Sequence, residues 1–140
     1  MARNSSVGTY VRLRVAAEAY AVPVGQVLAI VGPGDLTAVP GAVPEILGVR
    51  RLRGQIVPVI NLALVLGLNA TAPSRQLLLA EADGVKAGFT IEEVTSVSEL
   101  SAPLDGAESG FLLGVMVSDG EPLGVIDVAR IIESLRRAGS

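Results

Sequence analysis

The second half of this 140-residue chain repeats the pattern of its first half at an offset of 66 to 67 residues. Two glycines and one polar residue keep a shift of 66 within the apolar pattern: Gly48, Gly54 and Asn61 return as Gly114, Gly120 and Asp127. Apolar positions alone could match by chance in a chain rich in Val, Leu and Ile. The glycine and Asn/Asp matches favour an internal duplication, and they predict two copies of one barrel of about 65 residues that share an interface.

Short runs of alternating or β-branched residues predict strands along most of the chain. These runs are Tyr10–Val15, Tyr20–Val31, Gln55–Ile60, Leu77–Ala82, Val85–Ile91, Val94–Val97, Leu112–Val117 and Pro122–Ile126. Turn sequences such as Asp83-Gly84 and Asp105-Gly106 separate them, as in an all-β barrel. One helix is predicted from about Asp127 to Arg137, with Asp127 as its cap and an apolar stripe along one face.

Composition narrows the functional classes. The chain has no Cys, no His and a single lysine, Lys86. It therefore lacks thiolate nucleophiles and the commonest metal ligand, and Lys86 is not part of a phosphate-binding loop motif. We therefore expect that the protein is not an enzyme and that it binds no metal and no cofactor. Eleven basic and 14 acidic residues give a net charge of −3, which disfavours nucleic acid as a partner.

Hydropathy gives expectations about location and association. No apolar stretch approaches the roughly 20 residues of a membrane span, and Met1 to Thr9 lack the apolar core of a signal peptide, so we expect a cytoplasmic protein without direct membrane insertion. A mean hydropathy of +0.56 is high for a small chain. We therefore expect apolar surface reserved for partners, and weak self-association at high concentration.

One segment carries a specific motif. Residues 48–62 read GVRRLRGQIVPVINL, which resembles the signature of the CheW-like family, the chemotaxis coupling proteins. Further matches follow in order along the chain: Tyr20-Ala21-Val22-Pro23, Val39-Pro40, Gly88-Phe89, Phe111-Leu112 and Ile126-Asp127-Val128. The resemblance covers about Tyr10 to Leu135.

The resemblance implies an all-β fold of two pseudo-symmetric five-stranded SH3-like barrels with a short C-terminal helix, forming one domain over residues 1–140. We expect the first barrel at about 22–80 and the second at about 8–21 plus 81–140. It also implies a non-enzymatic adaptor that joins the cytoplasmic tip of a methyl-accepting chemoreceptor to the regulatory domain of a CheA-type histidine kinase. Such an adaptor is recruited to membrane-bound receptor arrays.

For the receptor, the resemblance implies a groove between the barrels. The matching positions are all apolar: Val11, Val24, Val27, Ile30, Val94 and Val97. Each of them has an alternative role as a core residue of a strand, and partial exposure would distinguish the two roles.

For the kinase, the resemblance points to Arg53, with Val39 and Ile46 as apolar contributors. Arg53 has an equally good structural role, in which it fixes a loop. Gly48, Gly54, Gly114 and Gly120 are interpreted as backbone devices for turns or bulges.

Two features depart from the family pattern. Arg50-Arg51 replaces a small or polar residue and an Asn, which adds positive charge beside the motif. The stretch Ser98–Gly110 is short, and its composition predicts a loop, so a kinase contact supplied by a longer connection is in doubt. Two alternatives therefore stay open: a homologue that binds only one partner in a motility pathway, and a small ligand-binding double barrel or carboxylate enzyme, which a deep polar pocket would favour.

Overall fold

The computed structural model describes residues 7–32, 34–69, 74–101 and 110–138. Strands dominate these ranges, and two helices accompany them. The strands are β1 (Val7–Val15), β2 (Glu18–Pro23), β3 (Val27–Val31), β4 (Ile46–Leu52), β5 (Gln55–Ile60), β6 (Gln76–Ala82), β7 (Val85–Ile91), β8 (Glu93–Ser101), β9 (Leu112–Ser118) and β10 (Glu121–Ile126). The helices are α1 (Leu62–Val65) and α2 (Val128–Ala138).

The strands form two five-stranded sheets that have the same internal order. The outer sheet, made from both ends of the chain, has the order β8-β1-β2-β10-β9. The middle sheet has the order β3-β6-β7-β5-β4. The parallel contact is also equivalent in the two sheets, because Val125 pairs with Ala21 in one and Val59 pairs with Gly88 in the other. The predicted all-β fold of two pseudo-symmetric five-stranded units with a C-terminal helix is confirmed.

Each sheet combines strands from both copies of the duplicated sequence. The hairpin β6–β7 comes from the second copy but lies between β3 and β5 of the first, in the sheet that β4 completes. Residues 81–91, which the sequence assigned to the second barrel, therefore lie in the middle sheet, and Val22 and Pro23 lie in the outer one. The sheets divide near residues 24 and 92 rather than 22 and 80, because a tight hairpin such as β6–β7 cannot be split between two sheets.

Three local features differ from the sequence predictions. The predicted strand Tyr20–Val31 is broken by a single 3-10 turn, Val24–Gln26, where the chain crosses from the outer to the middle sheet. Strand β4 was not predicted as a strand, because consecutive arginines and Gly48 interrupt its apolar alternation. Ser98–Ser101 do not form a loop but belong to β8 and pair with β1. Half-buried and exposed side chains alternate along them, as on a strand. The predicted turn Asp105-Gly106 lies outside the described residues.

A shared core joins the two sheets into one body. Its fully buried side chains come from both sheets and both helices, and include Leu13, Val22, Leu62, Leu78, Phe89, Ile126 and Ile131. A second cluster fills the outer sheet with Ala21, Met116, Leu123 and Val125. The predicted stripe of α2 is buried at Val128, Ile131 and Ile132, and the helix packs against β6 of the middle sheet. Neither described helix is long and apolar enough to cross a membrane.

Candidate functional site

The six residues expected in a receptor groove fall into three classes of exposure. Val11 is 5 % exposed and is a core residue, the alternative role that its sequence allowed. Val27 and Val94 are half-buried and pack against the shared core. Val24, Ile30 and Val97 are exposed at 41, 36 and 60 % of their surface. Only the last class offers substantial apolar area to a partner.

Two of the exposed members, Ile30 and Val97, lie on equivalent strands of the two sheets, and Val24 begins the 3-10 turn before β3. β3 and β8 are the edge strands that begin each sheet order, and Ile30 on β3 corresponds to Val97 on β8 at an offset of 67 residues. Alternation turns successive residues of β8 outward and inward, so that Val97 faces out. Val97 lies directly opposite Val11 on β1. Val97 and the buried Val11 are therefore neighbours on one face of the β1–β8 ladder.

The turn Val24–Gln26 lies at the seam between the outer sheet and the middle sheet. It contacts β1 of the outer sheet and β6 of the middle sheet. The Gln26 Oε1 atom is buried and has no hydrogen-bond partner within the described residues. Val94 N donates to Gln76 Oε1 at 3.3 Å, which ties β8 to the first strand residue of β6. Backbone and side chains thus fix the relative position of the two sheets where the exposed valines lie.

Arg53 lies at the tip of the β4–β5 hairpin. Arg53 and Gly54 have φ values of +50° and +79°, which is the pattern of a type I′ turn. Its guanidinium is exposed and lines a cavity of about 410 Å³. Aliphatic side chains of Leu28, Val31, Leu52, Val57 and Leu79 line the same cavity, together with Gln55, Glu81 and Lys86. Because the lining mixes aliphatic and charged groups, the cavity is not the deep polar pocket that a small-ligand function would favour.

The other two residues expected at the kinase surface lie elsewhere. Ile46 is half-buried and lines a separate cavity of about 150 Å³ against Ile132 and Leu135 of α2. It begins β4, whereas Arg53 follows the end of that strand, so about 20 Å of strand separates them. Val39 is 42 % exposed in the segment between β3 and β4. The structure therefore does not gather Arg53, Val39 and Ile46 into one small patch.

The four glycines lie at turns and bulges. Gly54 and Gly120 have positive φ at the tips of equivalent hairpins, at +79° and +75°. Gly48 and Gly114 occupy equivalent register shifts, opposite Val59 and Val125. A Cβ at Gly48 would lie 2.6 Å from the Thr37 carbonyl oxygen, so glycine is required there for close backbone approach.

Some exposed residues were not identified from the sequence. Leu28 lines the Arg53 cavity, and Ile56 and Val117 are exposed on the β4–β5 and β9–β10 hairpins. Leu28 lies at the register shift between Val27 and Ala29 of β3, so alternation along the strand does not predict its exposure. Within the described residues, no group of three or more acidic side chains lies close enough to hold a metal ion.

Comparison with sequence families and curated proteins gives a consistent result. Residues 9–136 match the model of the CheW-like domain. The chain is 29 % identical over 125 residues to the "Chemotaxis protein CheW" of Thermotoga maritima, a match that covers 84 % of this chain and 83 % of that protein. It is 36 % identical over 95 residues to the protein of the same name from Helicobacter pylori, covering 66 % and 57 %.

Two further similarities extend the comparison. The chain is 29 % identical over 112 residues to "Protein PilI" of Pseudomonas aeruginosa, covering 73 % of this chain and 63 % of that protein. Among solved structures, the scaffolding protein TtCheW from Thermoanaerobacter tengcongensis aligns with a TM-score of 0.78 at 23 % identity, covering 90 % and 88 % of the two chains. That similarity supports the two-sheet fold described above.

Proposed function

Because the chain belongs to the CheW-like domain family, we propose that it is a non-enzymatic scaffold of chemotaxis signalling that couples a methyl-accepting chemoreceptor to a CheA-type histidine kinase. The observation that carries the proposal is the presence of two separate candidate surfaces on one rigid core. One surface is formed by the exposed Val24, Ile30 and Val97, and the other surrounds Arg53 at the hairpin tip. An adaptor that transmits a signal needs both surfaces at once.

The receptor surface consists of Val24, Ile30 and Val97. A receptor tip presents helices, and an amphipathic helix binds through apolar side chains laid into an apolar track. Val27 and Val94 contribute by supporting this track from below, since both pack against the shared core. Val11 contributes only as the buried cross-strand neighbour of Val97.

The kinase surface is centred on Arg53 and its cavity. A guanidinium beside aliphatic side chains can pair with a carboxylate of the partner while the cavity takes an apolar side chain. Lys86 Nζ donates to Gln55 Oε1 at 3.1 Å, which orders the rim opposite Arg53. Val39, in the segment before β4, and Ile46, in its separate cavity against α2, are proposed as further kinase contacts apart from the Arg53 cavity. Such an adaptor acts in the cytoplasm, at the membrane-bound receptor array.

The test is a pair of calorimetric titrations, with the regulatory domain of the CheA-type kinase and with the receptor tip of the same organism. We expect Val97→Asp to weaken receptor binding by about tenfold or more, since it removes an apolar contact and inserts a charge. We expect Arg53→Ala to weaken kinase binding to a similar extent. Each variant should leave binding of the other partner within about twofold.

Val117→Asp is the matched control for Val97→Asp. Val117 is 68 % exposed on β9 of the same outer sheet, but β9 is the opposite edge strand from β8. We expect receptor binding to survive this change. Loss of receptor binding in both aspartate variants would contradict a surface specific to β8, and failure of the wild-type protein to bind either partner would overturn the proposal.

The similarity to "Protein PilI", a relative that is not named for chemotaxis, favours a second candidate function in a related pathway. A related scaffold in a motility pathway would use one of the two surfaces. The same titrations distinguish the candidates, because that scaffold would bind one partner of the chemotaxis pair and not the other.

A further inference from the structure

Arg50 holds the segment that follows β3 against the middle sheet. Arg50 is a half-buried residue of β4 and pairs with Val57 on β5. Its Nη1 atom donates a hydrogen bond to the carbonyl oxygen of Gly32, 18 residues earlier in the chain. A hydrogen bond from a charged guanidinium is stronger than one between neutral groups.

Gly34 leaves the space that the Arg50 guanidinium occupies. A Cβ at Gly34 would lie 2.5 Å from the guanidinium carbon of Arg50 and 2.6 Å from its Nε. The absence of a side chain at Gly34 is explained by the guanidinium lying against its Cα.

A second attachment follows a few residues later. Thr37 forms an isolated antiparallel bridge with Val49, in which each N–H donates to the other residue's carbonyl at 2.9 Å. Ala42 N donates to Val39 O at 3.2 Å and closes a turn. Residues 34–37 are therefore attached to β4 by the side chain of Arg50 and the backbone of Val49, and the turn at Val39–Ala42 follows them.

This fixed segment displays apolar side chains to solvent. Leu36 and Val39 are both exposed, and Leu36 shares a small cavity with exposed Leu47 of β4. An exposed segment that carries aliphatic side chains would lose conformational freedom when it binds a partner, unless it is already ordered.

We infer that Arg50 is a positioning residue for partner binding: by its bond to Gly32 and its packing on Gly34 it holds residues 34–45 in the conformation in which Val39 contacts the kinase. The inference rests on the proposed function, since Val39 belongs to the proposed kinase surface. Arg50 itself need not touch the partner. It reduces the ordering that binding requires, so its removal weakens binding through Val39.

The test is a double-mutant cycle of Arg50→Ala and Val39→Ala, with Kd for the kinase regulatory domain measured by calorimetry. We expect Arg50→Ala to raise Kd by roughly three- to tenfold in the wild-type background. In the Val39→Ala background we expect less than a twofold further rise in Kd. The contact of the Val39 side chain is already lost there, so loss of order in the segment costs little more binding.

Arg51→Ala is the matched control. Arg51 is the neighbouring residue of β4 and carries the same charge, but its side chain is exposed and its cross-strand partner is Ile56. We expect Arg51→Ala to change Kd by the same factor in the wild-type background and in the Val39→Ala background.

Hydrogen exchange of the free protein gives a readout that does not depend on the partner. Arg50→Ala and Gly34→Ala should each speed amide exchange within residues 34–45, with exchange in β6 and β7 unchanged. Adding Gly34→Ala to Arg50→Ala should have little further effect, since the guanidinium it would displace is already gone.

The outcomes separate this inference from the proposed function. Equal Arg50→Ala factors in both backgrounds, or unchanged exchange in residues 34–45, would overturn the inference while leaving the adaptor function intact. A wild-type protein that does not bind the kinase domain would overturn both.

Discussion

Asn61 and Asp127 cap two helices in the same way, 66 residues apart in the sequence. Asn61 Oδ1 accepts a hydrogen bond from Leu64 N at 3.2 Å, and Asp127 Oδ1 accepts one from Arg130 N at 3.0 Å. The helices differ in length, since α1 has 4 residues and α2 has 11. The two copies therefore share the start of a helix and differ in how far it continues.

The Asp127 cap should contribute measurably to stability. We expect Asp127→Ala to lower the free energy of unfolding by about 1 kcal/mol, because the Arg130 N–H loses its acceptor at the start of a helix that packs on β6. Asp127→Asn retains an acceptor and should lose less. Urea denaturation measures both, and equal losses would contradict the capping role.

Gly48 should tolerate no side chain. We expect Gly48→Ala to lower the free energy of unfolding by about 2 kcal/mol or more, because its Cβ would meet the Thr37 carbonyl oxygen at 2.6 Å. Gly25→Ala is the control, since a Cβ at Gly25 would have no neighbour within 4 Å. Thermal unfolding of the two variants gives the comparison, and a stable Gly48→Ala protein would show that the segment can shift away.

Arg53 should lower the free energy of unfolding while it contributes to kinase binding. A residue with a long side chain is disfavoured at a φ of +50°, and the equivalent position in the other barrel is Asp119, with a φ of +55°. We therefore expect Arg53→Asn to raise the free energy of unfolding by about 0.5 kcal/mol, because Asn adopts this conformation more readily. Kinase binding should weaken in the same variant. An Arg53→Asn protein with lower stability would indicate that Arg53 fixes the loop instead.

Tyr20 should make the protein sensitive to alkaline pH. Burial, and to a smaller extent the nearby charge of Glu18, raise the pKa of Tyr20 above its ordinary value of 10.0. Above that pH the unfolded chain loses the phenol proton before the folded one does, so the free energy of unfolding falls as pH rises. We expect a shallower fall in Tyr20→Phe, which keeps the ring that packs against Gly124.

Urea denaturation at about pH 8 and at about pH 10.5 measures the effect. Glu18→Gln should produce a smaller change in the same direction, because the charge of Glu18 is the lesser cause. Identical pH profiles for Tyr20→Phe and wild type would contradict the assignment.

Exposed apolar side chains should cause weak self-association. Val117 is the most exposed of the large apolar residues described and lies on an edge strand, opposite Pro122. Light scattering at several hundred micromolar should give an average mass above that of the monomer, and Val117→Asp should reduce it. A strictly monomeric wild-type protein at that concentration would refute the expectation.

Local sequence signals predicted most of the elements. Alternation identified the hairpin β6–β7 and its Asp83-Gly84 turn, and Asp127 marked the start of α2. The matched glycines identified the duplication and four turn or bulge positions. These signals depend on residues close together in the sequence, through side-chain alternation, positive φ and side-chain capping. They can therefore be recognised without knowledge of the rest of the chain.

The exposure of the site residues depended on longer-range packing. Val11 and Val97 are both strand valines that face each other across one ladder, yet one is buried and the other is 60 % exposed. Nothing in the residues next to them predicts this difference, because it depends on what the middle sheet and the turn Val24–Gln26 cover.

The sequence by itself determined that there are two equivalent units, most of their strands and turns, and the cap of α2. Only the tertiary structure decided that the hairpin β6–β7 lies between β3 and β5, and that β1–β2 lie between β8 and β10. The physical reason lies in the duplication. The two hairpins carry equivalent patterns and registers, so either could complete either sheet by local rules, and the choice depends on the connections and the shared core that both sheets bury together.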